Sequence, residues 1–167
     1  MTARFQDRRG RTVEVRPYRP EDRESLLQMY RTFDPAHRAQ GIPPLHPLRL
    51  VEWVDLLTRE GLNVVAIHAG RVVGHAVLMP ERDGAYELAI FVHQDYQGAG
   101  IGARLIEAVL QVGRERGVRR VWLTVEPWNT RAIAAYRRAG FRRTAADPWE
   151  EVWELTLDAP TDQSCGS

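Results

Sequence analysis

Lysine is missing from this chain: of 167 residues, 23 are basic and every one is arginine. Cysteine occurs once, at Cys165 in the polar tail Thr161-Asp-Gln-Ser-Cys-Gly-Ser, which excludes an internal disulfide and a cysteine metal cluster and fits a reducing, cytoplasmic setting. No stretch comes near the roughly 18 consecutive apolar residues of a membrane span. The opening Met1-Thr-Ala-Arg-Phe-Gln-Asp-Arg-Arg-Gly-Arg is basic but has no apolar run behind it, so neither export nor membrane insertion is expected. Charge of one sign is scarce too: the formal net charge is +1 and the arginines are scattered, so the electrostatic footprint of a nucleic-acid binder is absent. The five histidines, at 37, 46, 68, 75 and 93, show no tight ligand spacing, and no metal is expected.

What is present is the composition of a folded domain, 44% hydrophobic and 27% charged. A chain of this length buries about two thirds of its unfolded surface, and one domain is expected over 12–158, with disordered ends at 1–11 and 159–167. Thr12-Val-Glu-Val alternates as a strand closed by Pro17, and Pro20-Glu-Asp opens a helix running to about Phe33, apolar at Leu26, Leu27 and Tyr30. Asp34 to Pro47 holds four prolines and one glycine and reads as an ordered loop; Leu48 to Glu60 returns to helical spacing. Asn63 to His68 and Arg71 to Met79 are strands meeting around Ala69-Gly70, a hairpin signal. A third strand, Ala85 to Val92, is apolar on both faces apart from Glu87, as in the middle of a covered sheet. The next helix carries Leu105, Val109 and Val112 as one stripe and Ile106, Leu110 and Gly113 as another, so it packs on that sheet. Strand Arg120–Val125, helix Thr130–Ala139 and strands Phe141–Arg143 and Val152–Leu157 complete the order.

Between the third strand and the striped helix lies Val92-His-Gln-Asp-Tyr-Gln-Gly-Ala-Gly-Ile-Gly-Ala. Glycines at 98, 100 and 102 let the backbone bring bare N–H groups close to a ligand at a helix start, where the dipole stabilises an anion such as a pyrophosphate. A turn that merely starts a helix needs no such alternation of glycines. The letters also satisfy Gly-x-Gly-x-x-Ala at 98, 100 and 103, the dinucleotide fingerprint, with Glu126 at the distance of a ribose acid. In dinucleotide folds, however, the first glycine follows its strand almost at once, whereas here five residues intervene and three strands come first.

Gln97-x-x-Gly100-x-Gly102 resembles the pyrophosphate signature of the GCN5-related N-acetyltransferases, or GNAT family. Leu88-Ala-Ile-Phe-Val-His upstream is similar to that family's fourth strand, and Asn129-Thr-Arg-Ala-Ile-Ala-Ala-Tyr-Arg-Arg-Ala-Gly-Phe to its asparagine–tyrosine–glycine block. The resemblance implies an α/β (α+β) fold: a mixed, mostly antiparallel central sheet of about seven strands flanked by about four helices. It also implies an acyltransferase moving acetyl from acetyl-coenzyme A, as cosubstrate, to a primary amine: a small amine, an amino acid or a protein N-terminus. Backbone groups of Ile90, Phe91 and Val92 would pair with the pantetheine arm. Gln97, Gly98, Ala99, Gly100, Ile101, Gly102 and Ala103 would hold the pyrophosphate, and Asn129 would contact the cofactor arm or simply cap the helix at Thr130. Tyr136 would protonate the departing thiolate or be a core tyrosine. The absence of lysine removes that side chain as a self-acetylation target.

The acceptor ammonium must lose a proton before attack. Where some members keep a base glutamate this chain has Thr124, leaving Glu87, Glu126, His75 and His93 as substitutes, with Glu87 first because burial in an apolar strand would raise its pKa. The acceptor pocket would be built by Asp34–Pro47 and by Thr144–Glu151. Trp122, Trp128, Trp149 and Trp153 would be mostly core or strand-pair residues, Trp128 being a candidate wall of that pocket. The resemblance allows a homodimer through the last strands. Two other readings stay open: a module that binds acetyl-coenzyme A without turning it over, and a dinucleotide oxidoreductase.

Overall fold

The computed structural model describes residues 2–37 and 42–158. Along them run β1 (Ala3–Gln6), β2 (Thr12–Pro17), α1 (Arg23–Arg31), α2 (Pro47–Glu60), β3 (Leu62–His68), β4 (Arg71–Pro80), β5 (Tyr86–Val92), α3 (Ile101–Glu115), β6 (Arg120–Val125), α4 (Thr130–Arg138), β7 (Arg142–Ala146) and β8 (Glu151–Thr156). The strands form one sheet of order β1-β2-β3-β4-β5-β6-β8-β7, antiparallel everywhere except between β5 and β6. No described helix is long and apolar enough to cross a membrane.

The sheet has one strand more than the seven expected, and the extra strand is β1. Disorder over 1–11 does not hold for Ala3–Gln6, which pair with Val15 to Thr12. The reason lies in the turn between them. The Asp7 carboxylate accepts the backbone N–H groups of Arg9 and Arg11, both at 2.9 Å, and Nε of Arg11 at 2.7 Å. Burial works against its charge, yet these bonds outweigh it and hold the carboxyl below its ordinary value. The expected tail at 159–167 lies outside the described residues.

The β3–β4 hairpin turns on Ala69 and Gly70, at φ 49° and 76°, the left-handed pair that a tight two-residue turn requires. Side chains alternate across the sheet as strand geometry demands. Val64, Ala66, Ala76, Leu78 and Leu88 face α3 and α4 and pack with Leu105, Val109, Tyr136 and Phe141. Val65 and Val72 face Leu26, Leu27 and Tyr30 of α1 and Leu50 and Val54 of α2. The stripe foreseen on α3 is buried at Leu105, Ile106, Val109, Leu110 and Gly113.

The parallel junction positions the site. β5 and β6 share only the rungs Tyr86–Val121 and Glu87–Trp122. Past them β5 stays on β4 as far as Val92, while β6 stays on β8 as far as Val125, so the two strands part into a fork within the sheet.

Candidate active site

The backbone of β5 has two sides. His93 N–H donates to Val73 C=O at 2.9 Å, and the Phe91–His75 and Ala89–Val77 pairs continue the same alternation. In an antiparallel ladder only every second residue bonds the partner strand. Glu87, Ala89 and Phe91 therefore bond β4, while Leu88, Ile90 and Val92 turn their N–H and C=O groups toward the fork. Phe91 is thus a correction to the expected set Ile90, Phe91 and Val92: its amide is spent on β4, and its ring packs edge-on to Tyr30 at 5.5 Å and to Trp53 at 5.4 Å. Of the fork-facing groups, the Val92 carbonyl is already taken by Nε2 of Gln97 at 2.9 Å. Gln97 accordingly ties the strand end to the glycine loop.

That loop ends at α3. Gly98 and Gly100 sit at φ 72° and 91°, and Gly100 caps the helix without any side-chain bond, so the first N–H groups of α3 are left to an outside acceptor. Ala99 and Ile101 are buried and anchor the loop, and a Cβ built on Gly102 would lie 3.9 Å from Cγ2 of Val92. Two arginines flank it. A Cβ built on Gly98 would lie 3.2 Å from Nη1 of Arg131, and one on Gly100 would lie 3.9 Å from Nε of Arg8. Asn129 caps α4, its side-chain oxygen accepting Ala132 N–H at 3.3 Å, so the capping role is present in the structure.

Glu87 stands where the fork opens, half-buried. Burial, and then the neighbouring carboxylates Glu81 and Glu150, raise its pKa above the ordinary value. Three separate segments deliver this acidic set: the β4–β5 turn, β5 itself and the β7–β8 turn, where the Asp147 carboxylate holds the N–H groups of Trp149 and Glu150. Tyr136 reaches the sheet from α4, 5.9 Å from the Phe141 ring, and burial pushes its phenol up to about 12. None of the hydrogen bonds among the described residues uses its hydroxyl.

The histidines divide. His75 is fully buried between Tyr30 Oη, 2.6 Å from Nδ1, and Asn63 Oδ1, 2.7 Å from Nε2. Asn63 Nδ2 donates to Leu57 C=O at 2.8 Å, which turns its oxygen to the ring. Nε2 therefore carries the proton and Nδ1 accepts from the phenol. With burial lowering its pKa to about 3, His75 is a satisfied core residue and not a base. His93 caps the turn after β5, its Nδ1 accepting from Asp95 N–H at 3.2 Å, and its Nε2 meets Thr32 Oγ1 at 3.1 Å.

With the fork, loop and tyrosine in place, residues 24–141 match the model of the Acetyltransferase (GNAT) family. The chain belongs to this family. It is 38% identical over 80 residues to an uncharacterized N-acetyltransferase of Mycobacterium bovis, an alignment covering 47% of this chain and 51% of that one. The chain spans about half the length of the curated relatives it matches. Among solved structures, the GNAT domain of S. lividans PAT superposes with a TM-score of 0.78 at 25% identity, covering 93% of this chain and 97% of that one. A putative acetyltransferase of Salmonella typhimurium, solved with its cofactor acetyl-CoA, has a TM-score of 0.71 at 20% identity, over 89% and 96% of the two chains.

Within this GNAT fold a cavity of about 560 Å³ opens beside the α1–α2 connection, lined by Tyr30, Thr32, Phe33, Asp34, Leu45 and Gln94 among others. Asp34, Pro35, Pro44, Leu45 and Pro47, from the segment singled out from the sequence, contribute to it. A second of about 350 Å³ lies between Trp122 and the β4–β5 turn. Trp122 and Trp153 are strand-pair residues of β6 and β8, Trp153 being core, whereas Trp128 and Trp149 are 60% and 73% exposed. Glu81 escaped sequence reasoning, because nothing in Pro80-Glu-Arg-Asp-Gly distinguishes it from any charged turn. Among the described residues no group of histidine, cysteine or carboxylates could hold a metal.

Proposed function

We propose that this GNAT chain transfers the acetyl group of acetyl-coenzyme A to a primary amine, by direct attack within a ternary complex. The observation that carries this reading is the fork, with free strand groups on Ile90, an uncapped glycine loop at its far end and a carboxylate of raised pKa where it opens. The pantetheine arm fits along β5 as a substitute strand, its amides answering the fork-facing N–H and C=O groups. The phosphates fit the N–H groups at Gly98 to Ala103, and the amide nitrogen of Asn129, whose oxygen caps α4, would contact the arm.

Glu87, directly or through water, takes one proton from the acceptor ammonium, because a protonated nitrogen has no lone pair. The amine nitrogen then bonds to the thioester carbon. As the C–S bond breaks, the second nitrogen proton passes to solvent water and the thiolate takes a proton from Tyr136, which is later replaced from solvent. A phenol held near 12 stays protonated at neutral pH and is available as that donor. Glu81 and Glu150 beside Glu87 favour a cationic acceptor, such as a small amine, an amino acid or a protein N-terminus.

Thiol release from acetyl-CoA across a panel of such amines tests the proposal. Intersecting initial-velocity lines and micromolar cofactor binding, about −8 kcal/mol, are expected. Failure to bind acetyl-CoA would overturn it, and binding without turnover of any amine would favour a non-catalytic module.

A further inference from the structure

The β1–β2 turn is docked onto the glycine-loop segment at three points. Arg8 N–H donates to Ala99 C=O at 3.1 Å, Nη1 of Arg11 donates to Asp95 C=O at 2.9 Å, and the Arg11 guanidinium lies 4.0 Å over the Tyr96 ring. Arg11 is held in turn by Asp7 at 2.7 Å. These contacts fix the backbone on either side of Arg8 and leave its side chain over Gly100, while Arg131, in the first turn of α4, comes over Gly98 from the opposite flank. Neither guanidinium forms a salt bridge with a described residue, and both lie over the glycine loop. Two unneutralised cations brought to one loop of bare N–H groups make a site for more negative charge than a helix start alone would draw.

We propose that Arg8 and Arg131 are cofactor-binding residues, closing from two sides on phosphate groups of acetyl-coenzyme A. The inference rests on the cofactor lying on the glycine loop, as proposed above. It makes the N-terminal turn a third wall of the site, although Arg8 stands outside residues 24–141 that match the family. Its physical basis is the guanidinium fork, which meets two phosphate oxygens at once.

Calorimetric titration of the full chain with acetyl-CoA tests this in wild type, Arg8→Lys, Arg8→Ala, Arg8→Glu and Arg131→Ala, with Arg59→Ala on α2 as a charge-matched control. Arg8→Ala and Arg131→Ala are expected to weaken binding by at least about tenfold. Arg8→Lys should fall between wild type and Arg8→Ala, and Arg8→Glu should be weakest. All keep the Arg8 backbone bond, so thermal midpoints should stay together; a purely structural role would not follow side-chain charge. Titration with 3′-dephospho-acetyl-CoA separates the sources: the Arg8→Ala penalty disappears if Arg8 holds the ribose phosphate and persists if it holds the diphosphate, and either result supports the clamp. Binding by Arg8→Ala within twofold of Arg59→Ala would overturn it. A wild type that fails to bind acetyl-CoA would instead remove the underlying functional reading.

Discussion

At the scale of single residues, Glu87 and Tyr136 share one physical condition: burial disfavours their charged forms. For Glu87 this has opposite effects on catalysis and stability. Its folded pKa lies above the unfolded value, so the folded state binds the proton more tightly. Stability therefore falls as pH rises from the ordinary carboxyl range through the raised value, and the loss persists at neutral pH. Glu87→Gln should raise the thermal midpoint while lowering kcat about a hundredfold or more. The same variant should erase the acidic limb of kcat/KM, which in the wild type rises as Glu87 deprotonates. Melts and a pH–rate profile on one preparation check both directions, and a variant less stable than wild type would sink the argument. Both residues could be singled out in the sequence, one as the lone charge in an apolar strand and the other by its place in a motif. Glu81, which meets Glu87 only through the closed sheet, was not legible. Nor was it legible that Phe91 turns away from the fork, which depends on which strand claims each amide.

Among the elements, the chain Tyr30–His75–Asn63–Leu57 ties α1, β4, β3 and the end of α2 together through groups with no water to fall back on. Removing a partner leaves a buried polar atom unsatisfied, so Asn63→Ala should cost about 1–3 kcal/mol by urea unfolding at pH 7.5. His75 is held at about 3 against an unfolded value of 6.5. The folded state thus binds fewer protons, and its contribution is intact above the unfolded pKa and lost as pH falls toward 3. By pH 4 about 3 kcal/mol should be gone, and His75→Gln should flatten that slope. Periodicity made most elements readable, because α3 has a stripe and β3 and β4 flank a turn pair. β1 was missed for a physical reason: Ala3-Arg-Phe-Gln is too short to show alternation, and the strand is held by the Asp7 turn and by pairing with β2.

On the scale of the whole molecule, the fork leaves no local signature, since it arises from a parallel junction of two rungs between strands that are separated by α3. The sheet's edges lead to the last expectation. β7 closes one edge with all five residues exposed, and β1 closes the other. Exposed edges invite strand addition, and charge or irregular pairing blocks it. β7 carries Arg142 and Arg143 and a register shift between Arg143 and Ala145, while β1 carries Arg4. A homodimer formed by pairing β7 with its twin would crowd four arginines into one short pair of strands while adding few regular bonds. The chain should therefore sediment as a monomer at tens of micromolar, and Arg142→Thr with Arg143→Thr should shift it toward dimers. Sedimentation of the wild type at twice the chain mass, undone by Arg142→Glu with Arg143→Glu, would show instead that this edge is an interface and that its arginines find partners across it.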